Sequence, residues 1–293
     1  MNYAVVVVTC NRVKLLEECV NAILAQIKPA NQVIIVDNAS QDGTEAYLAS
    51  LDDRRFKVIR SSSNLGGAGG FALAMSEVDL EDNDFVLIID DDAIIEKEFV
   101  SEIEKKMNAD VLAYSGTVME EGKPAVFHRK RITGKNILGD AVPAEEYEKE
   151  TFLYDIGSFC GLFVATSIIK QVGLPKSEFF IWHDDTEYCL RFHPLTEILN
   201  VNRSVLIHKR LPSQSSVDNW RNFYGTRNQL WLLKKYRYKQ YWKERIKLKI
   251  KLKNVSGDVR KMYSDAIRQA KHNQFGINEK YLSEWNRRKE KSK

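Results

Sequence analysis

The chain has no apolar run that approaches the roughly 20 residues of a membrane-spanning helix, so we expect no integral membrane segment. Its first residues lack the layout of a signal peptide, because a short strand-like run follows Met1 almost at once. The four cysteines show neither a CxxC pair nor metal-ligand spacing, and we interpret them as reduced thiols of a cytoplasmic protein. We find no internal repeat and no low-complexity segment before the C-terminal region.

Charge is distributed unevenly along the chain. From Trp220 to the C-terminus there are 22 basic and 6 acidic residues, whereas the rest has 22 basic and 34 acidic residues. The acidic body disfavours binding to nucleic acid. The basic and aromatic C-terminal region indicates a polyanionic partner, and we favour an anionic membrane leaflet. A helical bundle packed on the body is the second interpretation of this region, and nucleic acid is the least favoured.

Short apolar runs alternate with helical patterns through the first half of the chain. Residues 3–8, 33–36, 56–60 and 85–89 have strand composition, and helical periodicity separates them. This alternation predicts an α/β fold with a Rossmann-like, mostly parallel sheet and helices on both faces. We expect a catalytic domain over residues 1–212 and a basic, helical C-terminal appendage over residues 213–293.

Two segments are harder to interpret. Residues 120–149 are polar with scattered Gly and Pro, which predicts a long surface loop such as a lid or an acceptor loop. Residues 246–253 alternate strictly between apolar residues and lysine, which is a strand period. We nevertheless favour a helix there, because a lone strand would have nothing to pair with.

Polar clusters follow each of the first four predicted strands. They are Thr9-Cys10-Asn11-Arg12, Asp37-Asn38, the glycine-rich stretch from Asn64 to Phe71, and Asp90-Asp91-Asp92. Because the carboxyl ends of parallel strands share one edge of a sheet, we expect these clusters to form one ligand site. Clustered carboxylates repel one another, and Mg²⁺ or Mn²⁺ bridged to phosphates relieves that repulsion. For single clusters, turn capping and tight glycine packing are the structural alternatives.

A second acidic pair, Asp184-Asp185, opens a predicted helix directly after an aromatic run. The pair could simply cap the helix. Alternatively, one carboxylate serves as a general base that takes the proton from an attacking hydroxyl group.

The order of these motifs resembles the inverting family 2 glycosyltransferases of the GT-A type, most closely galactofuranosyltransferases and rhamnosyltransferases. The resemblance covers roughly residues 3–208. It implies a set of residues that bind a nucleotide-sugar donor: Thr9, Asn11, Arg12, Asp37, Asn64, Gly66, Gly67, Gly69, Asp90, Asp91 and Arg227. It also implies acceptor contacts from Trp182, Asp184 and Gly161, with Asp185 as the catalytic base.

The resemblance further implies a metal site formed by Asp92, Asp90 and His208. An imidazole ligand suits Mn²⁺ better than Mg²⁺, so we expect Mn²⁺ with Mg²⁺ as the alternative. The metal would act as a Lewis acid on the leaving diphosphate.

The resulting hypothesis is a metal-dependent inverting glycosyltransferase on the cytoplasmic face of the plasma membrane. The glycine-rich stretch favours UDP-galactofuranose as donor, and the expected acceptor is a lipid-linked cell-surface or capsular glycan. The alternatives are a rhamnosyltransferase that uses dTDP-rhamnose and a non-catalytic protein that binds nucleotide diphosphates. A nucleotidyltransferase is disfavoured, because the loop after the first strand has no glycine.

Overall fold

A computed structural model describes residues 1–209 and 219–282 of the chain. The predicted domain boundary at 212/213 lies outside these residues. The strands, in chain order, are β1 (Tyr3–Thr9), β2 (Gln32–Asp37), β3 (Phe56–Arg60), β4 (Phe85–Asp90), β5 (Ala93–Ile95), β6 (Ala113–Glu120), β7 (Lys123–Pro124), β8 (Arg129–Thr133), β9 (Asn136–Ala141), β10 (Thr151–Tyr154), β11 (Ile156–Gly157), β12 (Leu162–Ala165) and β13 (Ile198–His208). The α-helices are α1 (Val13–Leu24), α2 (Thr44–Ala49), α3 (Gly66–Ser76), α4 (Phe99–Glu104), α5 (Thr166–Val172), α6 (Asp184–Phe192), α7 (Arg221–Tyr236), α8 (Tyr238–Lys251) and α9 (Gly257–Lys271).

The main sheet has the strand order β10-β13-β6-β12-β4-β1-β2-β3. Strands β4, β1, β2 and β3 are parallel neighbours, and β13 is parallel to β6, whereas β12 and β10 run antiparallel to their neighbours. The predicted mostly parallel α/β sheet is therefore confirmed. All seven residues of β1 are buried, as expected for a central strand with both faces covered. Successive β1 side chains enter two separate cores, one on each face of the sheet.

The strand register brings the polar clusters to one edge. Val8 pairs with Asp90 across β1 and β4, and Thr9 pairs with Asp37 across β1 and β2. On the far side of β6, β13 runs antiparallel to the short strand β5, and His208 pairs there with Ala93. This pairing places His208 next to the acidic triplet, although more than 100 residues separate them in sequence.

The predicted surface loop over residues 120–149 is wrong. Much of this segment forms β8 and β9, which join β11 in a small antiparallel sheet. Arg129 is fully buried, and its guanidinium donates hydrogen bonds to the carbonyl oxygens of Gly116 and Cys160 and to Oδ1 of Asn200. A buried cation is tolerated only with such partners. The polar composition of the segment concealed its role in the core.

Helices α7, α8 and α9 form the described part of the C-terminal region, as the helical prediction required. The lysine-alternating stretch is helical through Lys251, so the preference for helix over strand is confirmed there. Phe223 and Tyr224 of α7 lie in the same hydrophobic core as Phe179 and Phe180 of the body. In the described ranges, no helix is both long enough and apolar enough to cross a bilayer.

Candidate active site

A cavity of about 620 Å³ opens at the carboxyl edge of the parallel strands. Two groups of side chains contribute to its wall. The strand-end cluster comprises Asp90, Asp92, Glu120 and His208, of which all but Glu120 line the cavity; the loop cluster comprises Trp182, His183, Asp184 and Asp185. Arg12 and Gly67 complete the sequence-predicted residues of the lining. The two acidic motifs therefore face one cleft.

The aspartate triplet divides its side chains between the cavity and the protein interior. Asp90 and Asp92 line the cavity, whereas Asp91 is buried and accepts a hydrogen bond from Oγ1 of Thr9 (2.7 Å). Nη1 of Arg12 donates to Oδ1 of Asp91 (2.9 Å) and to Oδ2 of Asp92 (2.8 Å). The hydrogen bond between Thr9 and Asp91 thus holds the buried side of the triplet in place, and the guanidinium of Arg12 neutralises part of the triplet's negative charge.

Burial and crowding shift the titration of this triplet. Burial, followed by the charges of Asp92 and Asp91, raises the pKa of Asp90 to about 7. Burial also raises the pKa of Asp91 to about 6, although Arg12 opposes the rise. Burial opposes the charged form of Asp92 as well, but a hydrogen bond with His208 and the charge of Arg12 hold its pKa below the usual range. The cleft therefore concentrates negative charge that a cation stabilises.

His208 lies between two carboxylates. Its Nε2 is 3.4 Å from Oδ1 of Asp92, and its Nδ1 is 2.6 Å from Oε1 of Glu120. Burial opposes the charged imidazole, yet hydrogen bonds with Asp92 and Glu120 raise the pKa of His208 to about 9. Both partners are carboxylates, which accept hydrogen bonds, so this arrangement favours a proton on each ring nitrogen of His208. A cation that displaces the proton on Nε2 would find that atom facing Asp92, while Glu120 holds the proton on Nδ1.

The donor set of this cluster suits a divalent cation. Ligand atoms of Glu120, His128 and His208 lie within 4.8 Å of one another, and Asp92 is adjacent to His208. Mixed carboxylate and imidazole ligands fit Mn²⁺ better than Mg²⁺. Of the predicted ligands, Asp92 and His208 are 3.4 Å apart and share the cavity wall with Asp90, but the ligand atoms that converge within the described residues are those of Glu120, His128 and His208.

Sequence reasoning missed Glu120 and His128. Nε2 of His128 is 3.3 Å from Oε1 of Glu120, and its Nδ1 is 2.7 Å from Oγ of Ser158. The sequence pattern predicts that the strand preceding Glu120 ends at Ser115, but β6 continues to Glu120. With the correct strand end, Glu120 would have been recognised as another carboxylate at the carboxyl edge.

Asp37 has a carboxylate oxygen that accepts no hydrogen bond within the described part of the chain. The residue is only 1% exposed, and its Oδ1 accepts from the backbone N–H of Ser40. Its Oδ2 has no hydrogen-bond partner there, and Nε of Arg60 forms an ion pair with it at 3.8 Å. This oxygen can therefore accept a further hydrogen bond, for which an N–H of a pyrimidine base or a ribose hydroxyl is a suitable donor. Nearby, Asn11 joins the loops after β1 and β2 by accepting from the backbone N–H of Gln41.

The glycine-rich stretch forms the first turns of α3, and most of its glycines are needed for packing. Gly66 has φ +72°, and a Cβ there would lie 2.0 Å from the carbonyl oxygen of Phe180. A Cβ on Gly69 would lie 2.8 Å from Cβ of Leu65. Gly67 lines the cavity, and a Cβ added there would have no other atom within 4 Å. Asn64 caps this turn by accepting from the N–H of Gly66. Only Gly67 is placed for close approach of a ligand to the main chain.

The loop before α6 has an unusual backbone. Phe180, Trp182 and His183 all have φ between +64° and +68°, a region that side chains other than glycine rarely adopt. Asn228 of α7 stabilises this backbone, because its Nδ2 lies 2.9–3.0 Å from three carbonyl oxygens of the loop, those of Phe179, Ile181 and Trp182, and shares its two hydrogens among them. Strained residues held in this way are typical of functional sites.

The two helix carboxylates differ in environment. Asp184 is buried, and burial together with the neighbouring Asp185 charge raises its pKa well above the usual range. Asp185 is half-buried, and its Oδ1 accepts from the N–H and from Oγ1 of Thr186. Burial lowers the pKa of His183 to about 4, although Asp185 opposes this. Asp185 is therefore the more accessible carboxylate, and burial favours the protonated form of Asp184.

Several residues predicted to contact the donor or the acceptor are absent from the cavity lining: Thr9, Asn11, Asp37, Asn64, Gly66, Gly69, Asp91, Gly161 and Arg227. The guanidinium of Arg227 is fully buried and donates to the carbonyl oxygens of Gly276, Glu178 and Phe179, so it supports the fold. Arg221, at the start of the same helix, lines the cavity instead. Gly161 has φ +81°, and a Cβ there would lie 2.4 Å from Leu206, which makes it a packing position. Among the residues missed by sequence reasoning, Lys130 and Arg221 also line the cavity. The loop before Gly161, which the resemblance assigns to the acceptor site, contributes Ser158.

Comparisons with known proteins agree with this geometry. Residues 4–166 match the family model described as glycosyl transferase family 2. The dTDP-rhamnosyl transferase RfbF of Shigella flexneri is 25% identical over 229 residues, which are 73% of this chain and 75% of the relative.

Solved structures share the fold. TarS 1–349 of S. aureus, in complex with UDP-GlcNAc, has a TM-score of 0.61 at 15% identity and covers 96% of this chain and 83% of its own. The mannosyltransferase PcManGT of Pyrobaculum calidifontis, in complex with GDP-Man and Mn²⁺, has a TM-score of 0.56 at 18% identity, over 92% of this chain and 69% of its own. Since the family model matches more than half of the sequence, this chain belongs to glycosyl transferase family 2 and is a glycosyltransferase of the GT-A fold.

Proposed function

We propose that this chain is a metal-dependent, inverting glycosyltransferase that moves a sugar from a nucleotide diphosphate to a hydroxyl group of a glycan. One observation carries the proposal: the strand-end cluster and the loop cluster line the same cavity. An inverting transfer needs a cation at the leaving diphosphate and a base on the opposite face of the sugar. The two clusters offer these two functions.

Asp185 is the proposed base. It is half-buried, lines the cavity and follows the strained segment that presents it. The raised pKa of Asp184 favours its protonated form, which is suited to donate a hydrogen bond to the acceptor. Trp182 is 46% exposed and offers an aromatic face on which an acceptor sugar can stack.

The proposed metal ligands are Asp92, Asp90 and His208. Glu120 contacts His208, and His128 contacts Glu120. A bound Mn²⁺ would supply Lewis-acid stabilisation of the charge that develops on the diphosphate. Arg12, Lys130 and Arg221 line the same cavity and add positive charge. Oδ2 of Asp37 is the proposed acceptor for the base or the ribose.

For the donor we favour dTDP-rhamnose, with UDP-galactofuranose as the second candidate. The likeness to a dTDP-rhamnosyl transferase supports the first choice. The glycine-rich stretch favours galactofuranose on sequence grounds, but packing against Phe180 and Leu65 is sufficient to require Gly66 and Gly69. Uracil and thymine both carry an N–H group that can meet Asp37, so this contact does not choose between them.

The proposed acceptor is a lipid-linked cell-surface or capsular glycan, and the proposed location is the cytoplasmic face of an anionic membrane. The basic and aromatic C-terminal helices support this location. Nucleic acid is not a proposed partner.

The test is to incubate the protein with Mn²⁺ and a panel of nucleotide sugars, and to measure release of the nucleotide diphosphate with and without a glycan acceptor. We expect release from dTDP-rhamnose, or from UDP-galactofuranose, and a marked loss when the metal is chelated. If no nucleotide sugar is bound or cleaved at any metal concentration, the proposal fails in favour of a non-catalytic role.

A further inference from the structure

A row of large apolar side chains is exposed along α8. Tyr238, Trp242, Ile246 and Ile250 are 57%, 45%, 58% and 61% exposed. Their spacing of four residues places them on one slowly turning face of the helix. Tyr241 and Leu248 on the other face are buried against α7 and the rest of the C-terminal region. The helix thus packs inward through Tyr241 and Leu248 and leaves a row of large apolar side chains exposed on the other face.

Positive charge surrounds this apolar row. Helix α8 has six basic residues and one acidic residue. Lysines flank the row on its exposed side, namely Lys239, Lys243 and Lys249, and Lys253 follows the helix. Two copies of α8 packed face to face would place these lysines against one another. A surface that is apolar and rimmed with cations instead complements an anionic bilayer, where lysine side chains reach lipid phosphates.

The neighbouring edge of α8 borders a second cavity. This cavity of about 450 Å³ lies between α7, α8 and α9, and Lys247, Leu248 and Lys251 of α8 line it. Trp182 and His183 line both this cavity and the first one. One helix therefore presents exposed apolar side chains to the outside and, beside them, borders a cavity whose wall includes Trp182 and His183 of the loop cluster.

We propose that α8 lies flat in the interface of an anionic membrane, with Tyr238, Trp242, Ile246 and Ile250 inserted and the lysines at the lipid phosphates. The second cavity then opens beside the lipid surface, where the sugar part of a lipid-linked acceptor can approach Asp185. The acceptor part of this inference rests on the proposed function, whereas the attachment itself does not.

The test uses the full 293-residue chain and co-sedimentation with phosphatidylcholine vesicles, with or without phosphatidylglycerol. The double variant Ile246→Gln/Ile250→Gln removes apolar surface while keeping good helix formers. The matched control Ile27→Gln/Val58→Gln removes exposed apolar surface from the body, where Ile27 is 61% and Val58 is 42% exposed. Circular dichroism checks that the helix content of every variant is unchanged.

We expect the wild type to bind only the anionic vesicles, more weakly as salt increases. The α8 variant should lose affinity by about tenfold or more, and the control should stay within about twofold of the wild type. Lys243→Gln/Lys249→Gln should also weaken binding by about tenfold at low salt.

Two outcomes overturn the inference: a wild type that does not bind anionic vesicles, or an α8 variant that binds these vesicles as tightly as the wild type. A wild-type dimer that the α8 variant dissociates, without any vesicle binding, would assign this face to a second copy of the chain. Nucleotide-diphosphate binding with Mn²⁺, measured on the same samples, should be equal in all variants. Failure of membrane attachment therefore leaves the sugar-transfer proposal intact, and failure of sugar transfer leaves the attachment intact.

Discussion

The two sides of the cavity are built by different means. In the strand-end cluster, Asp90, Glu120 and His208 each stand at the last position of a strand, and their backbone is ordinary. In the loop cluster, Trp182 and His183 have left-handed φ angles and depend on hydrogen bonds from another helix. The strand-end cluster is distinguished by its charged side chains, and the loop cluster by the left-handed backbone that positions its side chains. Substitutions should therefore act on metal and donor binding on one side, and on turnover on the other.

The largest effect is expected for Asp185→Asn. The variant keeps the size of the side chain but removes the base, so kcat should fall by ~10² or more while donor binding stays nearly intact. Steady-state kinetics together with calorimetry of nucleotide-diphosphate binding provide the measurement. Asp184→Asn is the matched control, because an amide resembles the protonated acid and should cost less. A larger loss for Asp184→Asn would reverse the two assignments.

Gly66→Ala should reduce the free energy of unfolding by roughly 3 kcal/mol, because it combines a left-handed φ with a clash. The new Cβ would lie 2.0 Å from the carbonyl oxygen of Phe180, which belongs to the strained loop. Gly67→Ala is the control, since nothing lies within 4 Å of its Cβ position. Urea unfolding gives both values. Similar losses for the two variants would show that the glycines are not there for packing.

Asn228→Ala should lower kcat by roughly tenfold to a hundredfold with little change in donor affinity. The variant removes the amide group that bonds to three loop carbonyl oxygens and allows the carboxylate of Asp185 to shift. Asn83→Ala is a suitable control, because Asn83 is also buried but donates its side-chain hydrogen bond to the carbonyl oxygen of Asp79. If kcat of folded Asn228→Ala equals that of the wild type, the loop does not depend on α7 for its catalytic geometry.

The smallest effect is expected for Glu120→Gln on the other side of the cavity. Loss of the carboxylate beside Nδ1 of His208 should weaken Mn²⁺ binding by roughly tenfold, as for other groups that orient a ligand. The electron paramagnetic resonance signal of free Mn²⁺ gives the affinity without any turnover. Glu77→Gln, which removes an exposed partner of Lys57, serves as control. Unchanged affinity in Glu120→Gln would leave Glu120 without a role at the metal.

The contrast between the two sides also explains what the sequence could predict. Apolar runs that end in polar residues identified β1, β2 and β4 and the Asp90–Asp92 edge, because a buried parallel strand excludes charge until it ends. The helical C-terminal region was predicted as well. Glu120 was missed, since the end of β6 was placed five residues too early.

The sequence predicted the carboxylates of the loop cluster but not the backbone that positions them. The carboxylates of Asp184 and Asp185 follow an aromatic run, which is a local signal. The left-handed residues before them have no such signal, and neither do the side chains of Arg227 and Asn228 that hold the loop from about 50 positions away. Arg227, which the sequence assigned to donor binding, is instead buried among carbonyl oxygens. Local composition does not reveal such contacts between distant parts of the chain.

The central claim is that the two clusters act on one donor sugar from opposite faces. A crystal structure of the protein with Mn²⁺ and a non-reactive nucleotide sugar tests it most directly. The account predicts that the diphosphate lies beside Asp92 and His208, and that the anomeric carbon faces Asp185 with room for one attacking hydroxyl group between them. A donor bound outside this cleft, or a sugar whose anomeric carbon faces away from Asp185, would contradict it.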